Sequence, residues 1–294
     1  MHFYYLPSRK TMILWSEKCA CSSLVYWIEH NFQELSQCPG KPRAYLNKEG
    51  YNYNQLSEAQ ELLSNSDPIE HLIVSHRDPV KRMTSSFVNK FLIRGEQGHV
   101  LPLAPKKLQR FSKDFLEMFD SLQRSNRQQD RAKKRKRNHA SIIMKLSLKK
   151  FISTITHPTT DRTALNGHFS PQIINQIQWD EYTKIVEASK TVHPLRVENF
   201  DQDLERINQS MGFENFLPEK RNSTRLPSEE WTFSEQAETS IFNLAELCNM
   251  KTVPKGTSLQ QLLKSKSNLR NKFQDTFKFD YQLSEQLNHL SNSR

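Results

Sequence analysis

Lys18 lies inside a run of small and hydroxyl residues, Ser16-Glu17-Lys18-Cys19-Ala20-Cys21-Ser22-Ser23, which follows the apolar stretch Thr11–Trp15. A buried strand that feeds a tight loop and a helix opening at Ser22/Ser23 presents backbone N–H groups that the helix cannot pair, where its dipole favours negative charge. The Lys18 ammonium is placed to reach a phosphate or sulfate oxygen. The G-x-x-x-x-G-K-[ST] spacing of nucleotide P-loops is absent, so the loop by itself says only that something anionic binds. A second element of the same form follows. His71–His76, HLIVSH, reads as a short buried strand, and Arg77-Asp78-Pro79 opens a helix, with Asp78 suited to the cap and Pro79 to the first helical position. Arg77 at the strand end and Ser85 two turns into the helix can hold a second phosphate-like group. Two anion points on one sheet edge suit a nucleoside ligand that carries two phosphoryl or sulfuryl groups.

The elements that position these residues predict an α/β fold with a parallel sheet, whose ligands gather beyond the C-terminal ends of the strands. Helices are expected over Leu24–Leu35, Val80–Ile93 (Val80, Met83, Phe87 and Phe91 on one face), Pro105–Gln123, Ile142–Ile155, Phe200–Met211 and Leu259–Asp275. Gln37–Ser66 reads as a long surface connection and Arg94–Ala104 as a loop. Tyr182–Ala188 and His193–Val197 read as strands. Thr232 and Glu235 read as a capping-box pair ahead of a helix running through Leu247. Phe277–Tyr281, FKFDY, is expected to close the core, leaving a polar tail over about 282–294. No internal repeat is present.

With 294 residues the chain fits one large α/β domain, or one domain with an insertion. Its 42 Lys+Arg against 32 Asp+Glu give a formal net charge of +10, which points to an anionic partner: nucleotide, glycan, nucleic acid or membrane surface. The low hydrophobic fraction of 36% predicts long polar segments. One of these, Arg131–Arg137 within RAKKRKRNH, reads as a solvated loop, or as a contact to a polyanionic acceptor or nucleic acid; it lacks the aromatics of a single-strand stacking platform. No run approaches the roughly 18–20 apolar residues that span a bilayer, and MHFYYLPSRK has no signal-peptide core. A soluble, cytoplasmic protein is expected, with peripheral membrane contact left open. Of four cysteines, Cys38 and Cys248 allow a disulfide, though reduced thiols are the simpler expectation, and no spacing supports zinc.

Taken together, these blocks resemble the sulfotransferases that use 3′-phosphoadenosine 5′-phosphosulfate (PAPS), most closely the carbohydrate-sulfotransferase branch. EKCACSSL is similar to the family's 5′-phosphosulfate loop, and RDPVKRMTSSFVNKF to its 3′-phosphate motif, with Arg77 and Ser85 at the family spacing. GHFSPQ resembles a histidine–aromatic–x–Pro-Gln element of that branch; RVENFDQDLERIN, NSTR and FKFDY are weaker echoes. The likeness runs through most of Lys10–Tyr281 and is thin between about Arg94 and Ala164. Cys19 and Cys21 stand where the family commonly has Pro, Gly or Thr.

The resemblance implies a single sulfotransferase domain over 1–294, of P-loop-NTPase-like architecture with a central parallel sheet flanked by helices, and a basic helical insertion over about 94–165. It implies transfer of a sulfuryl group from PAPS to an acceptor hydroxyl, expected on a carbohydrate or glycoconjugate, with no metal. Lys18 would stand beside the leaving 5′-phosphate. Cys19, Ala20, Cys21, Ser22 and Ser23 would hold the 5′-phosphosulfate, Arg77 and Ser85 the 3′-phosphate, and Asn222, Ser223 and Arg225 would close over the nucleotide. The acceptor hydroxyl needs a general base. His168 in GHFSPQ is the first candidate and Glu198 the second. Competing readings are a P-loop-like nucleotide kinase, which lacks an evident magnesium carboxylate, and a non-catalytic basic module that binds nucleic acid through Lys133–Arg137.

Overall fold

A computed structural model of the chain describes residues 1–35, 42–65, 69–94, 100–102, 115, 118–119, 144–163, 165, 167–218 and 231–292. Asn222, Ser223 and Arg225, the run Arg131–Arg137, Cys38 and most of the helix expected over Pro105–Gln123 lie outside these residues. The chain forms two compact units. The first is built from Met1–Asp78, Gln172–Ser223 and Phe279–Arg294, the second from Pro79–Pro171 and Thr224–Lys278.

The strands in chain order are β1 (His2–Leu6), β2 (Thr11–Trp15), β3 (Asn52–Tyr53), β4 (Ile69–His76), β5 (Leu92–Arg94), β6 (Val100–Pro102), β7 (Ser189–Arg196), β8 (Thr232–Ser234) and β9 (Thr252–Pro254). The first unit holds a five-stranded sheet of order β3-β1-β2-β4-β7. β2, β4 and β7 are parallel, in register at Leu14–Val74 and His76–Arg196, whereas β1 runs antiparallel to both β2 and β3. The sheet is therefore mixed and not parallel throughout. The cause is chain length: only the single turn Pro7–Arg9 and Lys10 separate β1 from β2, enough for a hairpin and far too little for a parallel crossover.

All five residues of β2 are buried, because both faces of the sheet are covered. On one face Tyr4, Ile13, Trp15, Ile73 and Leu195 pack with Leu24 and Ile28 of helix α1 (Cys21–Asn31) and with Leu204 and Ile207 of the helix Phe200–Met211. On the other, Phe3, Met12, Leu14, Leu72 and Val74 pack with Tyr182 and Ile185 of the helix Gln176–Glu187 and with Phe279, Leu283 and Leu287 of the helix Lys278–Asn292.

Several elements differ from the sequence reading. β1 lies in the stretch MHFYYLPSRK, for which no strand was expected. The expected surface connection Gln37–Ser66 contains the helices Pro42–Lys48 and Ser57–Asn65 together with β3. Tyr182–Ala188, expected as a strand, lies in the helix Gln176–Glu187 and at its cap, because Trp179, Tyr182 and Ile185 recur at helical spacing and bury one stripe. The stretch 282–292, expected as a tail, continues the helix Lys278–Asn292, held by fully buried Leu283 and Leu287.

In the second unit, the helix Pro79–Phe91 buries the expected stripe Val80, Met83, Phe87 and Phe91. Phe87 and Phe91 join Phe115, Phe151 and Phe169 in an aromatic cluster with ring centroids 5.3–5.9 Å apart. The capping box is Asn243/Glu246, ahead of Leu244–Asn249; Thr232 instead begins β8. The helix expected over Leu259–Asp275 is two, Gly256–Ser265 and Ser267–Thr276, broken at Lys266.

His71 on β4 and buried His193 on β7 share one hydrogen bond, Nδ1 to Nε2 at 3.1 Å. Such a bond needs one nitrogen carrying a proton and the other bare. Burial lowers the His71 pKa; Arg9 adds to the effect, and Glu70, itself paired with Lys190, opposes it. A base whose folded pKa is depressed stabilises the fold above its unfolded value, near 6.5, and loses that contribution as pH falls through the lowered folded value. Below about pH 6.5 the Tm of the wild type is expected to fall more steeply than that of His71→Asn. Parallel melting curves from pH 7.5 to 5 would remove this pair as a cause.

Candidate anion-binding site

At the C-terminal end of β2 the chain turns sharply. The Cys19 N–H donates to the Ser16 carbonyl at 3.2 Å, and Lys18 (φ 71°) and Ala20 (φ 57°) both take the left-handed conformation. Neither is glycine, so each costs on the order of 1 kcal/mol, which the surroundings must offset. They do so from beneath: Cys19 is fully buried with its Sγ 3.2 Å from Ser16 Oγ, and its carbonyl accepts from Ser75 Oγ at 2.7 Å. Closely spaced left-handed residues turn backbone N–H groups into an anion-sized concavity. α1 starts directly from this turn, with Leu24 N–H donating to the Ala20 carbonyl at 3.0 Å. Ala20 at the N-cap has no side chain to bond the first-turn amides of Cys21, Ser22 and Ser23, and that turn carries no acidic residue.

The neighbouring strand β4 delivers Arg77 to the same place. Arg77 Nη1 donates to the Lys18 carbonyl at 3.3 Å, and its Nε lies 3.9 Å from Glu198 Oε1, on the turn Val197–Asn199 that follows β7. The Lys18 loop and Arg77 are thus in contact, where the ends of β2, β4 and β7 meet. The Arg77 N–H donates to Gln172 Oε1 and Gln172 Nε2 donates to the Ser75 carbonyl, both at 3.2 Å. The Gln172 N–H in turn donates to Asp280 Oδ1 at 2.8 Å, and the Ile173 N–H to the same oxygen at 3.2 Å. His76 Nε2 lies 3.2 Å from the Asp280 carbonyl. Beside this network Tyr281 is pushed far above the ordinary phenol range by burial, and then by the negative charge of Asp78 and Asp280.

Ser85 and His168 belong to the second unit. Ser85 is buried on its helix; its carbonyl accepts from Asn89 Nδ2 at 2.8 Å, and its Oγ lies 3.4 Å from the same nitrogen. His168 sits half-buried in a turn pinned on its C-terminal side. There Phe169 stacks on Phe91 at 5.7 Å, and the Ser170 carbonyl accepts from the fully buried guanidinium of Arg82 at 2.5 Å. Glu198, the alternative base, stands with Arg77 in the first unit.

Gln172 and Asp280 escaped the sequence reading as site residues. Their motifs, GHFSPQ and FKFDY, were visible, but nothing in the linear order joins positions 108 residues apart. A cleft of about 340 Å³ lined by His193, Arg206, Ser210 and Ser291 lies elsewhere in the first unit; neither Lys18 nor Arg77 lines it. Among the described residues no group of three or more His, Cys, Asp or Glu comes together, and no helix is long and apolar enough to cross a membrane. No family model, curated protein or solved structure matches the chain.

Proposed function

We propose that this chain is a PAPS-dependent sulfotransferase acting on a hydroxyl, with a carbohydrate or glycoconjugate as the acceptor class and the cytoplasm as its setting. The observation that carries this reading is the hydrogen bond from Arg77 to the Lys18 carbonyl, in the turn from which α1 starts. It supports the reading by joining the Arg77 guanidinium to the backbone of the Lys18 loop at the C-terminal ends of parallel strands, where ligands of α/β folds gather. Such a centre suits a ligand with two anionic groups on one nucleoside, and the blocks that build it are those resembling the PAPS-dependent family.

In the proposed reaction the acceptor oxygen forms a bond to sulfur as the sulfur–oxygen bond to the 5′-phosphate breaks. Charge builds on the leaving phosphate oxygen. Lys18 meets that charge, the amides of Ala20–Ser23 with the Ser22 and Ser23 hydroxyls hold the 5′-phosphosulfate, and Arg77 takes the 3′-phosphate, the group to which the family resemblance also assigns Ser85. The family resemblance gives His168 as the group that takes the acceptor's proton; Glu198, engaged with Arg77, is the second choice.

The purified protein is expected to bind adenosine 3′,5′-bisphosphate in preference to ATP by titration calorimetry. Equal or tighter binding of ATP, with no response to the bisphosphate, would overturn the reading. Transfer of labelled sulfate from PAPS to a panel of glycans, lipids and small alcohols then identifies the acceptor.

A further inference from the structure

We propose that Gln172, held by Asp280, is a positioning residue that fixes Arg77 for a phosphate at the 3′ position of the nucleotide. The inference rests on the function proposed above and extends it to residues outside the anion loop.

The pairing of β2 with β4 stops at Leu14–Val74, because β2 leaves the sheet to form the Lys18 loop. Three residues later, just past the end of β4, the chain must still present Arg77 in a defined direction. The Gln172 carboxamide accepts from the Arg77 N–H and donates to the Ser75 carbonyl. In a parallel ladder, a partner residue gives this same pair of bonds, to the N–H of one residue and the C=O two positions before it. One buried side chain therefore extends the ladder past the point where the partner strand has turned away.

Gln172 is only 1% exposed, and it is itself anchored. Fully buried Asp280 accepts from the Gln172 and Ile173 N–H groups, and the Asp280 carbonyl meets His76, the residue between Ser75 and Arg77. The arrangement has two tiers: Asp280 sets Gln172, and Gln172 sets the strand end. A guanidinium on a fixed stem gives up less conformational freedom when it binds a phosphate, so its affinity depends on that stem. Neither Gln172 nor Asp280 needs to touch the ligand.

The test compares two probes that differ by one phosphate, adenosine 3′,5′-bisphosphate and adenosine 5′-monophosphate, on the full chain. Gln172→Ala is expected to weaken the bisphosphate about tenfold, the equivalent of one charge-assisted hydrogen bond, and the monophosphate less than about twofold. On an Arg77→Ala background the same substitution is expected to change bisphosphate affinity less than about twofold, since the group being positioned is gone. Gln172→Met, which keeps the side-chain bulk without the bonds, repeats the measurement if the alanine variant folds poorly. A loss shared equally by the two probes, or one that persists without Arg77, makes Gln172 a packing residue and overturns the inference while leaving the proposed function standing. A wild-type chain that ignores the bisphosphate removes the proposed function, and this inference with it.

Discussion

Lys18→Ala is expected to slow sulfuryl transfer by about 10²–10³-fold while weakening adenosine 3′,5′-bisphosphate less than about tenfold. The size is that of removing one preorganised donor from an oxyanion, because the charge Lys18 would meet develops only as the leaving bond breaks. The substitution isolates the ammonium unusually well. Lys18 occupies φ 71°, a conformation that alanine tolerates about as poorly as lysine, so the loop's backbone cost hardly changes. Arg77→Ala should show the opposite balance: bisphosphate binding falls, and turnover at saturation suffers less. Quenched-flow turnover with labelled PAPS, beside calorimetry, separates the two. If both variants keep wild-type turnover, the assignment of this site is wrong.

Asp203→Ala is expected to lower the stability of the chain by about 3–5 kcal/mol, with no reference to any ligand. Asp203 is a carboxylate of 1% exposure that accepts from the Arg196 backbone N–H at 2.8 Å, from Arg196 Nε and Nη2 at 2.9 and 2.8 Å, and from Arg206. Alanine leaves the Arg196 guanidinium and a backbone donor at the end of β7 without their acceptor. Removing the buried carboxylate at the centre of such a cluster costs more than the cluster as a whole is worth. The denaturation midpoint should shift at constant m. Asp203→Asn, which keeps an acceptor and the volume, should lose less. A shift worth under about 1 kcal/mol would mean that the cluster behaves as a solvated surface pair.

β2, β4, α1 and the helix Phe200–Met211 were legible in the sequence because each carries its whole signal locally, an apolar run or a 3.6-residue stripe. The place of Arg77 directly after β4 and of Lys18 in the loop after β2 was legible for the same reason, each following such a run. Tyr182–Ala188 misled because Tyr, Thr, Ile and Val favour strands, and packing of the Trp179–Tyr182–Ile185 stripe decided otherwise. The left-handed turns at Lys18 and Ala20 were hidden, since no glycine marks them. Gln172 and Asp280 were hidden more deeply. A buried glutamine gains meaning only from the strand end it completes, and that pairing exists only after the chain has folded.

The position of the helix Lys278–Asn292 has a consequence for biosynthesis. One face of the five-stranded sheet is closed by Phe279, Leu283 and Leu287, and the second tier of the Arg77 support, Asp280, is on the same helix. A nascent chain that has emerged as far as Lys278 can complete the segments of the second unit, yet it still carries an apolar sheet face covered only in part, by the helix Gln176–Glu187, and an unanchored Gln172. The sheet cannot seal locally either, because β4 and β7 are adjacent in space and more than a hundred residues apart in the chain. The support of Arg77 therefore arrives late, and a release of the chain before residues 279–287 leaves a partly covered apolar sheet face without it.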